Sequence, residues 1–568
     1  MARNSSQFAV PVPQRSELVS FPAPVGGLNE RDALANMEPT QAVVLENLFP
    51  TSAGVMVRKG WFRWYDQIPG PTETIIKYNT ADGQEKIFAA ADGKFIDVSL
   101  GGTYNVTDVM KSGFLNNRWQ YTQMANQFGE FTVAVNGADT PQVYNGTAWI
   151  NAVITIAPSD LLLYPGMTPE RFIHVSQMHR RLWFVERDSP RVWYLPVDQY
   201  QGEVKLFDCG EVFPLGGFCQ LAMSWSVDTG SGMDDQSIFV SSKGNIAVFS
   251  GFDPDGVDTS AFILAGVYTV GATIGRRCAC PYGSDVLILC ENGVMPLTNV
   301  LGQSKLLQQR PITDIIQHRI SSLVTQFSTL FGWDLFTSAR YNQLYLNVPD
   351  PAGTFQYLMN TVLQSWCVVT GFSALCWENY YEEPVFGADT YVGRAWTGNV
   401  DDPVFTPVSE VIRRITSTGS IRIIKDGRVR IINEEENFDL HIGTSIQTKC
   451  LQAFSNFGSA VQKCWSMARP VFLADAEMSV AIAFNTDYDT AEEISPLPPF
   501  QGVQGVAMWD DPGTLWDGAK WSGGPTIQKK WYGLNDIGFT GAVFLRTASA
   551  GEALWVSTDF QLHKGGTL

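Results

Sequence analysis

Five histidines, nine cysteines and a few clustered carboxylates are the side chains of this 568-residue chain best suited to chemistry. His174, His179, His318, His441 and His563 stand in neither H-x-x-x-H nor H-E-x-x-H spacing, so no helix face offers two imidazoles to a metal. His174 and His179 bracket the start of a strand and read as surface or turn residues. No G-x-S-x-G elbow presents a serine nucleophile, and no G-x-x-x-x-G-K-[ST] loop cradles phosphates. Asp253, Asp255 and Asp258 share a loop of the kind calcium favours. Lacking the distal glutamate of a full calcium loop, they read as an ordinary Asp-Pro-Asp-Gly turn. The doublets Asp234-Asp235 and Asp401-Asp402 lie in Gly- or Pro-flanked segments expected as loops. Adjacent extended residues point to opposite faces, which argues against either doublet as the carboxylate pair of glycoside cleavage.

The run WDDPGTLWDGAKW holds Trp509, Trp516 and Trp521, which can pin a loop to its own domain, anchor a subunit contact or stack on sugar. The first role is preferred. Cysteines at 209, 219, 278, 280, 290, 367, 376, 450 and 464 are odd in number and form no C-x-x-C pair. They are expected as buried free thiols, in a protein assembled in a reducing compartment. The residues thus lead to the expectation of no enzyme, with no catalytic, cofactor-binding or metal-binding residue and no cofactor.

Apolar residues make up 45% of the chain, enough for real cores, while charged residues are only 17%. The surface must therefore be largely neutral and polar, or covered by other subunits. Lys and Arg number 39 against 57 Asp and Glu, a net charge of −18, which disfavours capture of nucleic acid through its phosphates. The longest smooth stretch, AFILAGVYTVGATIG at residues 261–275, carries three glycines and falls short of the ~20 residues a membrane helix needs. The first residues, MARNSSQFAVPVPQRSEL, lack the apolar core of a signal peptide and read as an extended, proline-punctuated arm.

The elements that must position these residues are short β runs broken by Gly, Asn and Asp. Residues 86–99 form two alternating runs joined at Asp92-Gly93, a pair favoured where both turn positions need positive φ. The plan recurs at residues 131–149, 181–197, 237–251, 285–300, 343–369 and 382–398. Seven such units, spaced irregularly by roughly 40 to 60 residues, point to a β-propeller, since one small sheet cannot bury both of its faces. Two stacked sandwiches are the alternative. Helices are few: residues 311–324, with Ile312, Ile315, Ile316, Ile320 and Leu323 on one face, and a short one at residues 40–48.

Beyond Gly398 the texture changes. Residues 411–436 read as a hairpin about Asp426-Gly427 that concentrates Arg413, Arg414, Arg422, Lys425, Arg428 and Arg430, the one basic patch of an acidic chain. It reads as a solvated ribbon paired with Glu434, Glu435 and Glu436, or as an edge that docks on an acidic neighbour or touches phosphate. Long alternating strands then resume as a sandwich-type module. The division is residues 1–50, an extended N-terminal arm and short helix; 51–400, a β-propeller-like body; 401–437, a basic connector; and 438–568, a C-terminal β-sandwich-like domain. The fold class is all-β.

In this order the segments resemble the tail nozzle, or tail tube, proteins of short-tailed bacteriophages. The resemblance is carried by the Gly26-Gly27 turn, the LEN-x-x-P stretch (Leu45, Glu46, Asn47, Pro50) and the step Arg58-Lys59-Gly60. In the body it adds Asn360, Thr361, Trp366 and Gly371, and later the NTDY and WD-x-x-x-x-x-WD segments. It implies a structural virion protein in a ring of copies, six by analogy, below the portal and head-to-tail adaptor. Such a ring would extend the DNA conduit, retain packaged DNA until ejection, hold tail fibres or spikes and let DNA pass without specific binding. It implies a place in the virion tail after assembly in the host cytoplasm, without membrane insertion. An acidic bore would repel phosphates, and the arm and basic hairpin are the candidates to reach neighbouring subunits. A glycan-binding or glycan-cleaving propeller is the alternative, although S-x-D-x-G-x-T-W boxes are missing.

Overall fold

The computed structural model describes residues 16–228, 233–256, 261–301, 310–404, 412–415, 421–425, 428–432, 442–476, 478–492, 497, 525–549 and 551–565. It is all-β, with a propeller body and a second, sandwich-like assembly of sheets.

Five blades are separate sheets in chain order, antiparallel except for the edge strand Ile154–Ile156, which runs parallel to Gly202–Asp208 in the third; their innermost strands are Thr74–Asn79, Gln120–Asn126, Phe172–Met178, Cys219–Asp228 and Ala279–Tyr282. Two further arrays, starting at Asp334–Ser338 and Cys376–Tyr380, are the two ends of a 15-stranded sheet. That sheet curls until these end strands pack against each other, so it is nearly a closed barrel and its ends complete the ring. The last array takes its outer strand, Trp61–Asp66, from the N-terminal part of the chain, with Tyr65 opposite Val392. First and last parts of the body are thereby fastened together.

All seven sequence units fall in the seven arrays, one in each, as the hairpin outside the innermost strand. At the first, Asp92 has φ 49° and Gly93 φ 66°, the positive pair that the Asp-Gly turn predicts. Burial explains why the units stand in a ring. Phe88, Phe95, Trp119, Tyr144 and Trp149 fill the gap between the first two blades, and Trp183, Phe239 and Phe249 that between the third and fourth. Each blade covers its neighbour's face, as flat small sheets must. The smooth stretch at residues 261–275 supplies the outer strand Phe262–Thr269 of the fourth blade.

The short helix expected at residues 40–48 is instead two strands, Gln41–Glu46 and Leu48–Thr51. Val43 and Val44 favour an extended chain, and Gln41–Glu46 pairs with Ile442–Gln452 from the far end of the sequence. The other helix is found as a 3-10 turn Asp314–Ile316 followed by Gln317–Phe327, burying Ile316, Ile320 and Leu323.

The N-terminal arm is described from residue 16 on. Glu17–Pro22 pairs with Ala553–Lys564 of its own chain, and Phe21 packs on Phe457 and Phe560. Residues 1–15 lie outside the described residues. The C-terminal platform thus includes N-terminal strands, and its two sheets meet over Trp465, Phe484, Phe457 and Phe560. Between body and platform, Ile421–Lys425 pairs antiparallel with Arg428–Ile432, the hairpin expected there, joined by Ile412–Ile415. The turn Asp426-Gly427 and the side chains of the basic patch lie outside the described residues. Among the described residues, no helix is long and apolar enough to cross a membrane.

Candidate functional site

The innermost strands of all seven arrays surround one cavity on the axis of the body, of about 400 Å³. A strand sends alternate side chains to one face, so each contributes residues two apart: Gln120 and Thr122, His174 and Ser176, Asp334 and Phe336. Its wall runs from fully buried Trp119 to exposed Pro281, which marks a mouth.

Two guanidiniums line the cavity. Arg277 donates through Nη2 to the Glu73 carbonyl and to Thr74 Oγ1, both at 2.8 Å. Its Nη1 lies 3.8 Å from Asp334 Oδ2, too long for a hydrogen bond. Arg276 donates to the Asn136 carbonyl at 3.2 Å. Burial, with the guanidiniums of Arg187 and Arg118, lowers its pKa. Burial and then Arg276 push the His174 imidazole down to about 4, so it is neutral at physiological pH.

Two carboxyls line the same cavity, one of them, Asp334, beside Arg277. Asp334 accepts from the Trp377 backbone N–H at 3.2 Å; burial raises its pKa to about 6 against the pull of Arg277. Glu378, raised by burial, accepts from the Tyr121 hydroxyl. The cavity thus combines two guanidiniums, two protonation-prone carboxyls, a neutral imidazole and the apolar walls of Trp377, Phe336, Leu221 and Met223. It can bind a small polar molecule, and its volume is in the range of small-ligand pockets.

None of these cavity residues was singled out by sequence except His174, and that one was misplaced. It is not a surface residue but part of the inner wall, because its strand is central. His179 does sit in a turn, with φ 49°. The loop carboxylates are occupied by cations: Arg181 bonds Asp253 at 2.8 Å and Asp255 at 3.0 Å, and Lys205 and Tyr194 also bond Asp255. Asp258 lies outside the described residues. Asp401 and Asp402 are in a strand, Val400–Val404, rather than a loop, since that segment pairs with both Trp61–Asp66 and Ile442–Gln452. They are held separately by Arg58 and Arg63. Asp235 bonds Ser226, and the side chain of Asp234 lies outside the described residues. So does the whole tryptophan run at 509–521. Among the described residues no three His, Cys, Asp or Glu side chains gather as a metal site, and the nine cysteines are free thiols, eight of them buried.

A second constellation gathers residues that sequence had picked for another reason. Arg58, only 1% exposed, bonds Asn47 Oδ1 at 2.8 Å, the Thr370 carbonyl at 2.7 Å and Asp401 at 2.5 and 2.7 Å. Asn47 reaches on to Thr370 Oγ1 and the Gln447 carbonyl, and Asn360 to the Pro50 carbonyl. Gly27 (φ 79°) lies so close to the Trp366 backbone that a Cβ would collide with it at 2.7 Å. This is the seam where N-terminal strands, propeller and platform meet.

Fold and sites therefore define an all-β protein with a propeller body, a small polar axial cavity and a bolted platform. Its sequence matches no family model and no curated protein. Among solved structures, "YCF48 bound to D1 peptide" is similar at a TM-score of 0.33 and 11% identity, over 62% of this chain and 96% of that one.

Proposed function

We propose that this chain is a structural subunit of a short phage tail, a nozzle or tube protein. In a ring of copies, six by analogy, it extends the DNA conduit below the portal and adaptor. It retains packaged DNA until ejection and anchors tail fibres or spikes. Its place is the virion tail, reached by assembly in the host cytoplasm.

The observation that carries the reading is the seam. Asn47, Pro50, Arg58, Asn360 and Trp366, which carry the family resemblance from distant parts of the sequence, all lie where the N-terminal strands join the body, and Asn47 also bonds the Gln447 carbonyl of the platform. A rigid two-part subunit suits a mechanical role. The axial cavity, at about 400 Å³, takes only a small molecule, so the DNA path runs between subunits and not along a propeller axis. The net charge of −18 suits a bore that repels phosphates.

Native mass determination of the full chain tests the proposal. The expected result is a discrete ring of several copies; a monomer at micromolar concentration counts against it. A second reading, a glycan-binding or glycan-cleaving propeller, is favoured by one observation, the polar axial cavity. It predicts a monomer with sugar affinity.

A further inference from the structure

Three buried polar atoms in the axial cavity have no hydrogen-bond partner: His174 Nδ1, Ser176 Oγ and Arg277 Nη1. Ser176 is 9% exposed. A buried orphan is costly, and folded proteins keep few of them. Here three from two blades line a single small chamber. Arg276 adds a second guanidinium to that of Arg277, and such planar forks match a carboxylate.

Charge narrows the class. Arg276 and Arg277 bring two positive charges to the cavity, and Asp334, 3.8 Å from Arg277, and Glu378 bring two carboxyls. With either carboxyl protonated, the form burial favours, one positive charge is left over, which a monoanion neutralises and a dianion would exceed. Ser176 can donate and accept, and so can a neutral imidazole, which suits hydroxyl groups. Trp377, Phe336 and Leu221 offer apolar wall to a ring face, and the volume fits one sugar-sized molecule.

We infer that the axial cavity is a binding site for a small hydroxylated carboxylate of the sugar-acid class. Its carboxylate faces Arg276 and Arg277, and its hydroxyls reach Ser176 and His174. The inference rests on the cavity alone and holds whether the chain forms a ring or not.

Titration calorimetry on the full chain, with D-glucuronate, D-glucose and inorganic phosphate as probes, tests it. Glucuronate is expected to bind with a Kd below about 1 mM, tighter than either other probe by about tenfold or more. Arg276→Met and Ser176→Ala each weaken it about tenfold. Ser176→Ala also raises the melting temperature of the ligand-free chain, because an orphan hydroxyl is removed; a merely structural serine would lower it. No heat with glucuronate at ~10 mM overturns the site. So does phosphate binding equally well, which marks a general anion site, or binding unchanged in both variants.

Discussion

Glu30 shows how burial alone writes a pH dependence into this protein. One carboxylate oxygen is buried without a partner, and burial raises the pKa from 4.5 to about 7 despite the attraction of Arg319. The folded chain thus holds this proton more tightly than the unfolded chain does. Its stabilising contribution is full below pH 4.5 and is lost as pH rises through about 7. Glu30→Gln, which keeps the shape and removes the charge, should raise the melting temperature at pH 8 by roughly 1–3 °C and change it little at pH 5. Thermal melts at both values check this; an equal shift at the two pH values would mean that packing, not charge, is at work. Asp334, raised to about 6, follows the same sign in the cavity.

At the scale of elements, the seam joins strands some 340 residues apart through one buried guanidinium. Removing one partner of such a pair strands a charge, while replacing both with apolar groups removes the cost of burying them. Asp401→Asn should therefore destabilise the chain by about 3 kcal/mol or more, and Arg58→Met with Asp401→Leu by less than that single change. Urea unfolding of the three proteins measures it; a double variant worse than the single would show that the bond geometry, not charge burial, holds the seam.

The same scale explains what the sequence disclosed. Each blade hairpin was legible because its alternating apolar run and turn residues are local, as at Asp92-Gly93. The innermost strands were not, because they carry the mixed polar residues of the cavity and break the alternation: Gln120 and Thr122, His174 and Ser176. A wall assembled from seven such strands has no spacing to read. The strand Gln41–Glu46 was misread as a helix because its partner lies some 400 residues away, in Ile442–Gln452. Asp401 and Asp402 looked like loop residues for the same reason, since their strand exists only once distant segments pair with it.

At the scale of the molecule, the question is where copies of the chain would touch. The helix Pro158–Leu163 follows the edge strand Ile154–Ile156 of the third blade and leaves three consecutive leucines in water: Leu161 at 40%, Leu162 at 85% and Leu163 at 69%. Val153, at 64%, precedes them. Single exposed leucines are ordinary, but a consecutive apolar run on a chain with so little charge is a contact surface in waiting. If the chain works as a ring, this helix lies in the subunit contact. Leu162→Asp should then reduce the ring to smaller species in native mass spectra. The melting temperature of the separated chain should stay within about 2 °C, since an exposed side chain contributes little to its own fold. A ring that survives the substitution intact would place the contact on another face of the body or on the platform.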